Sequence, residues 1–323
     1  MSGFIIRRLI QIIPVFLGIL AILFIITEIA PGQPLADLQD PRITAAHRER
    51  MLERFGLHLP VHERFFNWVV DATRGDFGES ITHRRPVSEI VVGALPATLT
   101  LSISSMIVSM IIGIPLGILS AIYKGRAVDT AGSIFAFFGI SMPPFFFGVL
   151  LIMIFSINLE LTPIMGFGSP PPFGRNETLL QIWADRAWHL ILPVTALGLT
   201  GAAGYMRYTR SSMLEVIHSD YIRTARAKGL KERRIIFRHA MRNALIPIIT
   251  LMGLQLPALF SGAAITEAVF GLPGLGQIMI QSVGGRNFPV MIGMMTMIAI
   301  VTLLAALIAE IMYAVADPRI KYD

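Results

Sequence analysis

The 323-residue chain is 54% hydrophobic and 15% charged, with a net charge of +6 and no cysteine. That composition excludes disulfides and thiolate metal sites, and its long uncharged runs require a non-aqueous solvent. No G-x-x-x-x-G-K-[ST] phosphate loop, G-x-S-x-G nucleophile elbow, metal cluster or intramembrane carboxylate pair occurs, so ATP hydrolysis and hydrolase chemistry find no residues here.

Six uncharged runs predict an all-α polytopic membrane protein with six transmembrane helices: 9–27, 97–123, 130–157, 190–206, 244–266 and 289–309. Each is about long enough to cross roughly 30 Å of hydrocarbon at ~1.5 Å per residue, the fourth being the shortest. The first follows Arg7-Arg8 and is too long for a signal peptide, so an uncleaved span with a cytoplasmic N-terminus is expected. Glu28 at its outer end reaches the interface.

Residues 32–96 form the largest polar segment, expected on the outer side, with eight basic against nine acidic residues. Two amphipathic helices are expected there, 44–55 with Leu52 and Phe55 on its apolar face, and 60–74 with Phe65, Phe66, Val69 and Val70. Such faces fit either a cap on the membrane-embedded body or a docking surface for an outer partner. His58 and His62 are four apart, but Pro60 lies between them and no glutamate follows His58, so no zinc-helix site is expected.

Lys124 and Arg126 mark a short cytoplasmic turn between the second and third runs. Gly113, Pro115, Gly117 and the serines 102, 104, 105 and 109 suit close helix packing. Pro143-Pro144 in the third run must kink or interrupt the helix. Residues 158–189 return outside, rich in proline and glycine, with a short amphipathic piece near 182–188 whose Trp183 and Trp188 suit the headgroup level.

The fifth run carries Gln255 and Pro257 at membrane depth, where a buried amide either lines a pathway or bonds a neighbouring helix. Glu267, at its outer end, precedes a glycine-rich turn through Gly271, Pro273, Gly274 and Gly276, and bracing that turn is its expected role. Glu310 lies near the cytoplasmic end of the sixth run. Sixteen basic residues fall on cytoplasmic segments against eleven outside, eight of those on the long first loop, which places both termini in the cytoplasm.

One polar stretch, 207–243, holds ten Lys and Arg against Glu215, Asp220 and Glu232, a balance of +7 in a chain of +6. Its pattern predicts helix, turn, helix: an N-cap at Ser219 or Asp220, a helix over 221–228, Gly229 at positive φ, Leu230 making the contact that follows, and a second helix over 231–244. Anionic-lipid binding, nucleic-acid binding and a plain positive-inside surplus are rival readings of the charge. Attraction to acidic headgroups does not explain the glycine-broken helix pair.

The run DYIRTARAKGLKERRIIFRHAMRNALIP from Asp220 closely resembles the cytoplasmic signature loop of binding-protein-dependent ABC importer permeases, in particular the first permease subunit of the dipeptide/oligopeptide/nickel group. The likeness continues in RRLIQIIPVFLGI at Arg7, APGQP at Ala30, RGDFGESI at Arg74, LPATLTLS at Leu95, GISMPPFFFGVLL at Gly139, WHLILPVTALGL at Trp188, TEAVFGLPGLGQ at Thr266 and YAVADPRIKY at Tyr313. Gly229 aligns with the glycine of the general family loop. Arg223-Thr224-Ala225 stand where Glu-Ala-Ala is usual, and Met241-Arg242 replace Leu-Pro, with a proline following at Pro247.

The resemblance implies a type I importer permease fold in a bacterial or archaeal cytoplasmic membrane. It implies a first helix over 1–31, an outer segment over 32–96, a five-helix core over 97–316 containing the loop 207–243, and a tail over 317–323. Tyr221, Arg223, Thr224, Ala225, Lys228, Gly229 and Leu230 would form a coupling helix seated in a cytoplasmic ATPase subunit. Gln255, Pro257, Glu267, Pro273 and Gly274 would line or gate the path. The implied partners are a second homologous permease, two ATP-binding subunits that hold ATP and magnesium, and an extracytoplasmic binding protein delivering short peptides. The chain itself would bind no cofactor or metal and would not be an enzyme. Nickel or glutathione cargo is the alternative within this architecture. A stand-alone channel or ion-coupled carrier is the alternative outside it, and would call for intramembrane charges or inverted repeats.

Overall fold

In this computed structural model the described residues are 2–29, 58–169 and 178–316, with single positions at 44, 49 and 53. Apart from those three positions, the expected helix over 44–55 lies outside them, as do the APGQP segment, the prolines 170–172 and the tail 317–323. Described residues form helices and turns with one isolated antiparallel bridge, Glu79 to Pro86. Two compact units result, one from residues 1–96 and 274–323 and the other from 97–273.

The first unit contains α1 (Ser2–Ile29), α2 (Val61–Thr73), the opening turns of α3 (Val87–Ile122), α10 (Leu275–Gly284) and α11 (Phe288–Ala316). Val87, Val91 and Ala94, spaced to share one helix face, pack with Phe77, Leu275, Val290 and Met294. Asn287 is buried and fastens the turn before α3: its Nδ2 donates to Ser80 Oγ at 2.7 Å and to Thr82 Oγ1 at 3.3 Å, while Oδ1 accepts from the Ile81 N–H at 3.2 Å. Helix α2 meets α1 through Phe65, edge-on to Phe24 at 5.3 Å, and through Arg64, paired with Glu28 at 2.5 Å. Glu28 thus has a protein partner. The inward face of α2 runs through Arg64, Phe65, Trp68 and Val69, and Phe66, expected on the apolar face, points outward.

The expected segment 32–96 does not end where α3 begins. Val87 starts α3 ten residues before the uncharged run does, because a helix needs only backbone bonding and one apolar stripe to extend beyond the hydrocarbon.

The second unit holds the rest of α3, α4 (Ala127–Ser141), α5 (Pro144–Asn158), α6 (Leu179–Ile217), α7 (Asp220–Ala227), α8 (Glu232–Ser261) and α9 (Ala264–Val269). Gly113 and Gly117 let α3 approach α6 so closely that an added Cβ would sit 2.5 and 2.6 Å from the Ala202 and Met206 carbonyl oxygens. The third uncharged run is broken: α4 and α5 meet at 100°. Pro143 forces Met142 into an extended conformation (φ −95°, ψ 120°), and Pro144 then starts α5 at a position where its missing N–H costs nothing. Among described residues, five helices are long and apolar enough to cross a membrane, six if the bent pair counts as one span.

The fourth run, shortest by hydropathy, belongs to the longest helix. At 39 residues α6 includes the expected amphipathic piece 182–188 without interruption. A capping box starts it: Thr178 accepts from the Gln181 N–H while the Gln181 side chain accepts from the Thr178 N–H at 2.9 Å.

Candidate functional site

The basic loop folds into a compact reversal between α6 and α8. Ser219 has N-cap backbone geometry (φ −70°, ψ 154°), although its hydroxyl donates back to the Val216 carbonyl at 2.6 Å instead of capping α7. Ile222 and Ala225, three residues apart, turn the same side of α7 inward. Ile222 is fully buried against Ile118 and Ala121 of α3, Met213 of α6, and Ile235, Ala240 and Ala244 of α8.

Gly229 ends α7 with φ +74°. The Leu230 N–H donates to the Ala225 carbonyl at 3.4 Å and the Gly229 N–H to the Arg226 carbonyl at 2.9 Å, the paired bonds of a Schellman reversal. Among the described residues nothing lies within 4 Å of a Cβ built on Gly229, so conformation and not space favours glycine there. Leu230 then turns back onto the cluster that holds Ile222.

Helix α8 is π-helical over Ile235–Ala240. In a regular helix positions 235 and 240 would point about 140° apart; the wider turn brings both, with Ala244, onto the buried side. Arg226 Nη2 binds Glu232 Oε1 at 2.7 Å across the reversal, and this hydrogen bond raises the guanidinium pKa. Asn243 Nδ2 donates to the Tyr221 hydroxyl at 2.7 Å. The other side of α7 presents Tyr221, Arg223, Thr224 and Lys228 outward; the Arg223 side chain is 75% exposed and reaches Asp220 at 3.3 Å. Of the seven coupling residues expected from sequence, Tyr221, Arg223, Thr224 and Lys228 share this open face, Ala225 and Leu230 face the core, and Gly229 makes the turn.

The anchor Ile222 was not singled out, although its spacing to Ala225 signals it. Also unforeseen was Arg210 of α6, whose Nε and Nη2 reach the two Asp129 oxygens at 2.7 and 3.0 Å. Asp129 additionally accepts from the Gly125 N–H at 2.9 Å and from the Ser120 hydroxyl. The turn between α3 and α4 is thereby tied to α6.

The remaining expected positions fall in separate places. Gln255 accepts from the Tyr205 hydroxyl at 3.0 Å, and Pro257 follows a tightened turn in which the Leu256 N–H bonds the Gly253 carbonyl at 3.3 Å. Glu267 is fully buried in α9 and accepts from Thr98 Oγ1 at 3.0 Å. Its carbonyl takes the Leu272 N–H at 2.9 Å while Gly271, at φ +59°, bonds the Ala268 carbonyl at 3.2 Å, repeating the reversal seen at Gly229. Pro273 beyond it is exposed, and Gly274 begins the first unit.

Comparison with known proteins matches residues 113–322 to the family of binding-protein-dependent transport system inner membrane components. The chain is 42% identical to the oligopeptide transport system permease protein AppB of Bacillus subtilis, covering 100% of both. It is 38% identical to the dipeptide transport system permease protein DppB of Escherichia coli, covering 100% of this chain and 99% of that protein. Identity to the glutathione transport system permease protein GsiC of Salmonella choleraesuis is 35%, again over 100% of both. Among solved structures, the MetNI methionine ABC transporter in inward-facing conformations aligns with a TM-score of 0.53 at 20% identity, covering 71% of this chain and 96% of that one, a likeness of fold.

Proposed function

The chain belongs to the binding-protein-dependent transport system inner membrane components, and on that footing we propose that it is one of two permease subunits of an ATP-driven importer of short peptides. The single observation that carries the mechanical part is the reversal at Gly229: a short helix, anchored by fully buried Ile222, that presents a basic face away from the core. Such a knob transmits a push as a rigid body, because its reversal is hydrogen-bonded and its anchor is packed.

In this reading both termini are cytoplasmic and the knob seats in a cleft of a partner ATPase. ATP and magnesium are held there and not by this chain. A binding protein docks on the outer segments, 32–96 and 158–189, and delivers a peptide to a path shared with the second permease. ATP-driven motion of two such ATPases rocks the pair between outward- and inward-open states. Peptide cargo is favoured over glutathione because the relatives named for peptides are the more similar, at 42% and 38% against 35%. The same relatives support a place in a bacterial cytoplasmic membrane.

The test is purification of the tagged chain from its native membrane, intact and with residues 221–230 scrambled. Intact chain should bring down two P-loop ATPases and a second permease, and the scrambled chain should lose the ATPases alone. A chain recovered by itself, or only with copies of itself, would point to a channel or carrier.

A further inference from the structure

Within the second unit, the apolar stretches of α3, α6 and α8 line a half-open cavity of about 270 Å³. Its walls include Ser102, Ser105, Gly204, Tyr205, Tyr208 and Gln255, with no Asp, Glu, Lys, Arg or His among the lining residues. Ser105 is 5% exposed, and its hydroxyl, itself shut off from solvent, has no hydrogen-bond partner among the described residues. A buried hydroxyl in that state costs free energy unless something else satisfies it. Ser109, one turn on, differs: its hydroxyl is shared between the Ser105 and Gly198 carbonyls at 2.8 and 2.9 Å.

The Tyr205 hydroxyl donates to Gln255 Oε1, which leaves the carboxamide nitrogen as a donor of two hydrogens at the cavity wall. Hydroxyls and a carboxamide on otherwise apolar walls complement a neutral group that both donates and accepts. A free ammonium or carboxylate would give up part of its hydration here and find no opposite charge among the lining residues. The volume lies below the roughly 300–1,000 Å³ of sites that engulf a whole small molecule, so only part of a peptide fits.

Resting on the permease reading above, we propose that this cavity is a residue-sized subsite on the transport path. It holds one uncharged peptide unit of the cargo by its main-chain amide, through Gln255 and through the Ser105 hydroxyl once that turns from its buried position into the cavity. Selection at this point is for the peptide bond, while charged ends and side chains remain in the wider path outside.

Gly204 provides the means to test it. It lines the cavity within α6, and among the described residues nothing lies within 4 Å of a Cβ built on it, so a larger side chain can start there without a Cβ clash and extend into the cavity. The experiment uses the complex that co-purifies with the full chain, reconstituted in proteoliposomes with its binding protein, ATP on the cytoplasmic side and radiolabelled tri-alanine outside. The readout is peptide moved per ATP hydrolysed, with the second permease quantified in each preparation. Gly18→Leu serves as control, since Gly18 of α1 is exposed with open space around it and lies outside the cavity. The expectation is that Gly204→Leu lowers the ratio about tenfold or more, and that Ser105→Ala raises the KM for tri-alanine about fivefold.

Wild-type-like transport by Gly204→Leu overturns the subsite. So does loss of the second permease from that variant's complex, since the cavity is then a subunit seam. Should Gly204→Leu fail to reach the membrane, Ser105→Ala decides, and an unchanged KM rejects the proposal. If the wild-type complex itself moves no peptide, the permease-for-peptides reading fails first and the subsite falls with it.

Discussion

Arg210 grips Asp129 with two parallel hydrogen bonds, 2.7 and 3.0 Å long, across 81 positions of sequence. The Asp129 side chain is 9% exposed and that of Arg210 30%, so the pair sits largely out of water, and the Ser120 hydroxyl and Gly125 N–H satisfy the remaining carboxylate lone pairs. Removing one partner strands the other. Asp129→Ala should therefore lower stability by about 3 kcal/mol, toward the low end for a buried pair because Arg210 keeps some exposure. Asp129→Leu combined with Arg210→Met should recover much of that loss. Arg210→Lys should fall between, since an ammonium cannot reproduce the fork. Thermal unfolding of the detergent-purified chain checks all three, with Asp129→Leu and Arg210→Met measured singly as well; a double variant as unstable as the sum of those two singles would mean the pair does not couple.

Gly229 is held at φ +74° in open space, so its substitutions separate conformation from bulk. Gly229→Ala pays only the left-handed penalty, about 1–2 kcal/mol, confined to the reversal. Gly229→Asn should cost less, because asparagine visits that region more readily. Gly229→Pro cannot adopt the angle and also loses the N–H that bonds the Arg226 carbonyl. Membrane levels should stay close to wild type in all three. Coupling of uptake to ATP hydrolysis should decline in the order Asn, Ala, Pro. Normal coupled uptake in Gly229→Pro would sink the assignment of this knob as the contact with the ATPases.

That reversal was legible in the sequence because its causes are local. Ala225, Gly229 and Leu230 carry the whole Schellman pattern within six residues, and the Ser219 boundary is a local preference too. The interruption at Pro143-Pro144 was legible for the same reason, but its 100° angle is set by packing and no dipeptide encodes it. Apolar runs misjudge helix length: α6 passes through Asp185, Arg186, Arg207 and Arg210 because backbone bonding continues regardless of side-chain charge. Its start was readable in the Thr178–Gln181 capping box, a signal that hydropathy does not register. The Asp129–Arg210 and Thr98–Glu267 pairings join residues 81 and 169 apart, and such partners become visible only once the helices are packed. The same holds for the π-turn at Ile235–Ala240, whose cause is the shared buried face and not any one residue type.

Thr98 and Glu267 offer the means to separate bracing from gating at the turn through Gly271. Both are fully buried, Thr98 near the start of the second unit and Glu267 one helical turn before the reversal that its own carbonyl closes through Leu272. A carboxylate that only braces is needed for its hydrogen bonds, so Glu267→Gln, which keeps an oxygen acceptor for Thr98, should retain most stability. Glu267→Ala removes the acceptor and leaves space, and should cost about 2–4 kcal/mol. Thr98→Val, close in shape but without the hydroxyl, should cost about 1–2 kcal/mol. For a brace, uptake falls only as far as the folded fraction falls, so activity per folded molecule is nearly constant across the three variants. A gate predicts the opposite split, with Glu267→Gln as stable as wild type yet slow in transport. Thermal unfolding in detergent and uptake normalised to folded protein, measured on the same preparations, distinguish the two; we expect the brace.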